Sequence, residues 1–465
     1  MTRQYTPAGA YATPWPLLER VCPMFRRSEI TADKVHDTLR QHMLVDGYPI
    51  VVDLEESSES WLRDRKTGKQ YLDFFSFFAS NPIGFNHPSM RDEDVIARLA
   101  KVAVQKVSNS DYYTTFLAEF VDTLSRSAAP KELPHYFFVD GGALAVENAM
   151  KTAFDWKVKK NLAAGRGEKG SQILHFQNAF HGRSGYTLSV TNTDPVKTRH
   201  FPKFPWPRVS TPAITFPLEG AHLEQVIAAE KQSLSEVEAA FDANPDDIAA
   251  ILVEPILGEG GDLHLRGEFL RELRRIADAR DALLIFDEVQ TGLGLTGKWW
   301  AFEHFGVLPD IVCFAKKMQT GGIFVGKRID EVPENVFKVP SRINSTWGAS
   351  LVDMVRATHI LEIIENENLL DNARDRGEEL RNGLVEIQER YDVVTNARGR
   401  GLMCAIDLPT TELRDKVIRR CFDDGMIVLK CGPRSVRFRP TLTVTAEAIA
   451  EGVSRLSKAM GQVLS

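Results

Sequence analysis

Leu283-Leu-Ile-Phe-Asp287-Glu-Val-Gln290 and, further on, Ile311-Val-Cys-Phe-Ala-Lys316 decide the fold of this 465-residue chain. Each opens as a short apolar run, the pattern of a parallel strand buried on both faces, and each ends in a polar residue. In an open α/β sheet the carboxyl ends of such strands face the ligand crevice. One strand therefore brings a carboxylate, and the next a primary amine, to the same cleft.

Reading outward, Tyr136-Phe-Phe-Val139, Ile173-Leu-His-Phe176 and Ile248 to Val253 are further buried strands. Between them lie amphipathic helices. Ala143, Val146, Met150 and Ala153 form one stripe, and Phe269, Leu270, Leu273, Ile276 and Ala277 another. Strand–helix alternation from about 90 to 345 predicts a mostly parallel α/β sheet with helical crossovers. Ile50 to Phe74 alternates as a hairpin around Lys66-Thr-Gly68-Lys69, and the Pro- and aromatic-rich stretch 197–217 reads as an ordered surface loop. A long helix begins near Leu351, followed by alternating segments at 401–407 and 434–444. The expected organisation is an N-terminal arm and small-domain segment over 1–85, a large domain over 86–349 and a smaller α+β domain over 350–465.

Composition narrows the class. A net charge of −6 disfavours nucleic acid or an anionic membrane as partner. No run reaches the roughly 18 apolar residues that span a bilayer, and the first thirty residues lack the apolar core of a secretory signal. Five scattered cysteines (Cys22, Cys313, Cys404, Cys421, Cys431) lack metal-ligand spacing and read as reduced thiols of a cytoplasmic protein. His181 has no second histidine at ligand spacing, so no metal is expected.

The amine–carboxylate pair is what pyridoxal 5′-phosphate requires: a lysine for the Schiff base and an acid to keep the pyridine nitrogen protonated. Asp140-Gly141-Gly142-Ala143 sits between a strand and a helix, where free backbone amides and the helix dipole suit a phosphate. Val289 can press on one ring face, Phe180 on the other, and Gln290 can reach the ring hydroxyl. Lys316 and Lys317 are adjacent. If the strand continues, only one faces the cleft, leaving the other as a solvated surface charge.

These residues fall within a set of motifs that resembles the class III (omega) aminotransferases, enzymes of pyridoxal-phosphate fold type I. The motifs are Tyr71-Leu-Asp-Phe with Asn86-His-Pro88, Gly142-Ala-Leu-Ala-Val-Glu147, Ala179-Phe-His-Gly182, Glu254-Pro with Gly258-Glu-Gly-Gly261, Phe286-Asp-Glu-Val-Gln290, Pro309-Asp-Ile with Lys316, and Val436-Arg-Phe-Arg-Pro440. Gly141 stands where a phosphate-binding Ser is usual in the wider family, and Leu295 where Arg is usual. These departures, with Pro340-Ser-Arg-Ile-Asn-Ser-Thr-Trp-Gly348, resemble the branch that acts on the ε-amino group of L-lysine.

The resemblance implies specific roles. Lys316 would form the Schiff base and shuttle the proton, and Asp287 would pair with the pyridinium. Gly142, Ala143 and Thr346 would hold the phosphate, with Thr346 reaching in from the second subunit of a homodimer. Phe180 and Val289 would sandwich the ring, with Gln290 on its hydroxyl. Arg183 would grip the α-carboxylate of lysine, with Asn344 also among the substrate-binding residues. Arg437 would bind 2-oxoglutarate in a bidentate fork, paired at other times with a switching Glu259. The expected reaction is transfer of the ε-amino group of L-lysine to 2-oxoglutarate in two half-reactions. Ornithine or 4-aminobutyrate transamination is the nearest alternative, and an amino-acid racemase of the same fold is a more distant one. The racemase would need neither a keto acid nor the Glu259–Arg437 switch. Intact Lys316, Asp287 and Gln290 argue against a non-catalytic scaffold.

Overall fold

Seven strands build the large sheet: β1 (His135–Val139), β2 (Gln172–Phe176), β3 (Arg208–Val209), β4 (Ile248–Val253), β5 (Leu283–Asp287), β6 (Ile311–Phe314) and β7 (Gly321–Val325). They are seen in a computed structural model that describes residues 30–465. Their order is β1-β7-β6-β5-β4-β2-β3. All neighbours run parallel except β7, which is antiparallel to both β6 and β1. The cause is the short connection 315–320, which has no room for the helical crossover that a parallel return needs.

The apolar runs of β4, β5 and β6 are buried at every position, as strands covered on both faces should be. On one face the helix α1 (Gly142–Ala163) lays Val146, Ala149, Met150 and Ala153 against Ile173, Ala250, Ile285 and Cys313. Phe269, Leu270, Leu273, Ile276 and Ala277 of the crossover helix Gly267–Ala279 are all buried on the other. Two strands of this sheet escape the sequence reading. Arg208–Val209 is a two-residue edge strand inside the predicted 197–217 loop. β7 starts with two glycines, which carry no strand signal. They are there for close approach: a Cβ on Gly321 would stand 2.6 Å from the Gly141 carbonyl oxygen, and one on Gly322 2.5 Å from the Phe314 ring.

The predicted hairpin is present, with Trp61–Arg63 antiparallel to Gln70–Asp73. Its second strand pairs in parallel with Met426–Ile427, stitching the N-terminal part to the C-terminal part. Beyond the helices Leu351–Asn366 and Leu369–Arg390 lies an antiparallel four-stranded sheet of β8 (Thr395–Arg400), β9 (Met403–Asp407), β10 (Leu429–Cys431) and β11 (Ser435–Phe438), in the order β8-β9-β11-β10. The part of the expected N-terminal arm before residue 30, with Cys22, lies outside the described residues. Its continuation, the helix Val35–Arg40, buries none of its residues.

A fully buried ion pair joins the end of this second sheet to the segment that follows β4. Arg439, just past β11, donates from Nη1 (2.9 Å) and Nη2 (2.5 Å) to the carboxylate of Asp262, and neither side chain is exposed. The Arg439 backbone N–H donates to the Phe74 carbonyl, and its carbonyl accepts from the Ser76 hydroxyl. Removing one partner strands a buried charge, so Asp262→Ala should cost about 3–5 kcal/mol. Denaturant unfolding of the variant should show that loss, whereas a change below about 1 kcal/mol would mean that solvent reaches Arg439.

Candidate active site

Five strands deliver their carboxyl ends to one edge of the large sheet. β1 is followed by Gly141-Gly142, β2 by Phe180-His181 and β4 by Glu254; β5 ends at Asp287, and β6 is followed by Lys316. The β5–β6 register sets Asp287 opposite Cys313, so that the carboxylate and the following turn meet at the edge.

Asp287 is almost fully buried. Its Oδ1 accepts from the Val289 backbone N–H at 3.0 Å and its Oδ2 from His181 Nδ1 at 2.8 Å. Glu254 lies beside this pair and accepts from the N–H groups of Phe180 (2.9 Å) and Gly258 (3.1 Å). Burial, aided by the Asp287 charge and opposed by His181, pushes the Glu254 carboxyl up to about 7. Phe180 and Val289 are thus tied to the two carboxylates that flank the strand end.

At the neighbouring edge α1 begins at Gly142 without a side-chain cap on its first amides. Gly141 precedes it at φ 88° and ψ 152°, a conformation open essentially to glycine alone, and a Cβ there would meet nothing within 4 Å. A Cβ on Gly142 would lie 2.7 Å from Val289 Cγ1. Helix N-terminus and valine side chain therefore pack together and leave an open, amide-lined cradle.

The two lysines do not continue the strand. Lys316–Met318 is a 3-10 turn entered with Lys316 at φ 47°, so strand alternation does not apply. Nor is Lys317 a solvated surface charge. It is buried, and its ammonium donates to the carbonyls of Gln290 (2.7 Å) and Ala79 (3.3 Å). Burial, with Lys316 and Arg439 nearby, drives its amine well below the ordinary lysine range. The Lys316 amine makes no hydrogen bond within the described residues. Burial and the Arg437 charge lower it, against the pull of Asp287. Of the two, Lys316 is the free amine in the cleft.

Gln290 connects this centre to the arginines. Its Oε1 accepts from Arg439 Nη2 (3.0 Å), Arg439 Nε (3.1 Å) and Arg437 Nη1 (3.3 Å), leaving its amide N–H groups available. Arg437, buried on β11, donates from Nη2 to Glu259 Oε2 at 2.7 Å. The other carboxylate oxygen, Oε1, accepts from Lys197 Nζ at 2.5 Å. Burial alone would raise Glu259, but the two cations hold it below its usual range. Arg183 is exposed, next to the buried His181 and Gly182, and has no carboxylate partner among the described residues. Asn344 and Thr346 are exposed on the loop before Leu351, and the Thr346 hydroxyl makes no hydrogen bond within the described chain.

Four participants were missed in the sequence: the partnership of His181 with Asp287, the raised Glu254, the buried Lys317 and the Lys197 contact. The partners stand far apart along the chain, and no spacing rule links them. The donor set fits pyridoxal phosphate. Among the described residues the cradle offers free amides, Lys316 is an unpartnered amine, and the Asp287 oxygens each have a lone pair to spare for a ring N–H. His181 holds that carboxylate while its own Nε2 stays buried without a partner among the described residues.

Residues 43–460 match the Aminotransferase class-III family. An L-lysine-epsilon aminotransferase of Amycolatopsis lactamdurans is 51% identical over 432 residues, covering 92% of this chain and 96% of that protein. The structure of a lysine aminotransferase from M. tuberculosis in the internal aldimine form matches with a TM-score of 0.92 at 50% identity, covering 93% of this chain and 100% of that one. The mitochondrial 4-aminobutyrate aminotransferase of Homo sapiens is 33% identical over 454 residues, covering 90% of this chain and 86% of the relative. Borohydride reduction of the protein with pyridoxal phosphate, then peptide mapping, should place the label on Lys316. A label on Lys317 would contradict the assignment of the free amine.

Proposed function

The chain belongs to the class III aminotransferases, and we propose that it transfers the ε-amino group of L-lysine to 2-oxoglutarate, giving glutamate and 2-aminoadipate 6-semialdehyde, which cyclises. The cofactor of the family, pyridoxal 5′-phosphate, supplies an aldehyde for the amino group and a protonated ring that accepts electrons when the substrate C–H bond breaks. In this chain Gly142 and Ala143 would bind its phosphate through backbone amides, with Thr346 from a second copy. Phe180 and Val289 would flank the ring, Gln290 would donate to its hydroxyl, and Asp287 would keep its nitrogen protonated. Lys316 Nζ is the base that takes and returns the substrate proton, and its lowered basicity leaves the neutral amine more accessible.

The observation that carries the reading is the Arg437–Glu259 pair. The carbon that reacts in lysine bears no carboxylate, whereas the one in 2-oxoglutarate does. A bare guanidinium beside Lys316 would draw the α-carboxylate of lysine inward and present the wrong amine. With Glu259 in place that position is filled, and Arg183, exposed and without an ion-pair partner in the described chain, is left to hold the α-carboxylate near the mouth, with Asn344 alongside. When the keto acid enters, its carboxylate takes Arg437 as a bidentate fork and Glu259 yields.

The reading includes a homodimer with shared sites. Met43, Leu44, Phe78, Tyr112, Tyr113 and Trp347 are exposed and would be available to pack against a second copy. Four buried, unbridged thiols (Cys313, Cys404, Cys421, Cys431) support a cytoplasmic location, and no helix among the described residues is long and apolar enough to cross a membrane.

Purified enzyme with pyridoxal phosphate should form glutamate from lysine and 2-oxoglutarate, with kcat/KM at least about tenfold above ornithine, which is one methylene shorter. Faster turnover of ornithine or 4-aminobutyrate would overturn the substrate, and turnover without keto acid would point to racemisation. Glu259→Ala should slow the lysine half-reaction more than the glutamate one; equal losses would refute the switch. Sedimentation should show a dimer, and mixing Lys316→Ala with Thr346→Ala chains should restore activity if each site draws on both subunits.

A further inference from the structure

Glu259 does not face one cation but two. Arg437 holds Oε2 from the buried side, and Lys197 holds Oε1 from the more open side, its ammonium also lying 5.2 Å from the centre of the Phe180 ring. The glycines around Glu259 suggest a flexible loop, but their packing says otherwise. A Cβ on Gly258 would come within 2.6 Å of the Gln290 amide, and one on Gly260 within 2.1 Å of the Asn178 carbonyl oxygen. The Glu259 carbonyl also accepts from the Gly432 N–H at 2.9 Å. With the backbone pinned on both sides, the carboxylate can leave Arg437 only by side-chain rotation. Lys197 already stands within that reach, on the turn Pro195–Thr198, whose start is fixed by Asp194 accepting from the Val196 N–H.

We propose that Lys197 is a positioning residue for the switch, holding the Glu259 carboxylate while the dicarboxylate acceptor occupies Arg437. The inference rests on the aminotransferase reading given above. A carboxylate expelled from a buried arginine without another partner would carry the full cost of an unpaired charge. With Lys197 holding one oxygen throughout, displacement breaks one of two ion contacts rather than the only one. Sharing the charge also loosens the Glu259–Arg437 pair before the acceptor arrives. The benefit therefore falls on acceptor binding and not on the proton-transfer step.

The test compares wild type, Lys197→Met and Lys197→Arg as holoenzymes. Methionine keeps apolar bulk over Phe180 while removing the charge. Two quantities are measured: KM for 2-oxoglutarate against kcat, and the equilibrium affinity for glutarate, an unreactive dicarboxylate, by calorimetry. Lys197→Met should raise the acceptor KM and weaken glutarate by about tenfold, with kcat changed far less. Lys197→Arg should recover most of the affinity. In a Glu259→Ala background the methionine change should add nothing further. Unchanged glutarate affinity in Lys197→Met, or the same loss with Glu259 absent, would overturn the role. A fall in kcat with intact glutarate binding would assign Lys197 to support of Phe180 instead. Wild type that forms no glutamate from 2-oxoglutarate would refute the functional reading itself, a result separate from any of these.

Discussion

A carboxylate withdrawn from water at the end of β5 is the constraint around which the cleft is built. Asp287 is nearly sealed, and both of its oxygens are already engaged by protein donors, one from the backbone and one from His181. Its charge reaches outward. It helps to push Glu254 towards the protonated form and opposes the loss of basicity of Lys316. A cationic ring nitrogen would complement this arrangement. The parallel strands matter because they bring the acid, the amine, the aromatic ring and the helix N-terminus to one edge, although these lie far apart in the chain.

Much of this was legible in the sequence, because apolar runs closed by a polar residue report both the strand and its functional end. β4 and β6 follow their hydrophobic runs residue for residue, and β5 extends its run by one residue to end on Asp287. β7 was hidden because glycines chosen for close approach look like a turn, and β3 because two residues carry no period. Lys317 was misread for a related reason. The alternation argument needs a strand, but the chain turns at Lys316 with a positive φ, and Lys317 ends up buried while Lys316 stays half-buried at the cleft. The His181–Asp287 and Lys197–Glu259 contacts were invisible because only the folded topology makes them neighbours.

The cleft also shows how buried charge can be either fixed or exchangeable. Lys317 is held by two backbone carbonyls and has no freedom to react. Lys316, one residue earlier, is half-buried and has no such partners among the described residues. Two adjacent lysines are thus distinguished by hydrogen bonding and by exposure, one fixed in the interior and the other free at the cleft.

Arg437 and Arg439 extend the same contrast. They stand two residues apart, both are buried, and both donate to Gln290 Oε1, so they face the same region. The difference lies in the anion opposite. Asp262 is wholly enclosed and short, and it meets Arg439 with both oxygens, an arrangement that cannot open without leaving two charges unpaired. Glu259 is longer by one methylene, about a quarter exposed, and gives Arg437 only one oxygen. A carboxylate ligand competing for Arg437 would therefore meet less resistance from Glu259 than one competing for Arg439 would meet from Asp262. Arg439 holds Gln290 and Asp262 in place, and of the two arginines Arg437 has the more loosely held partner.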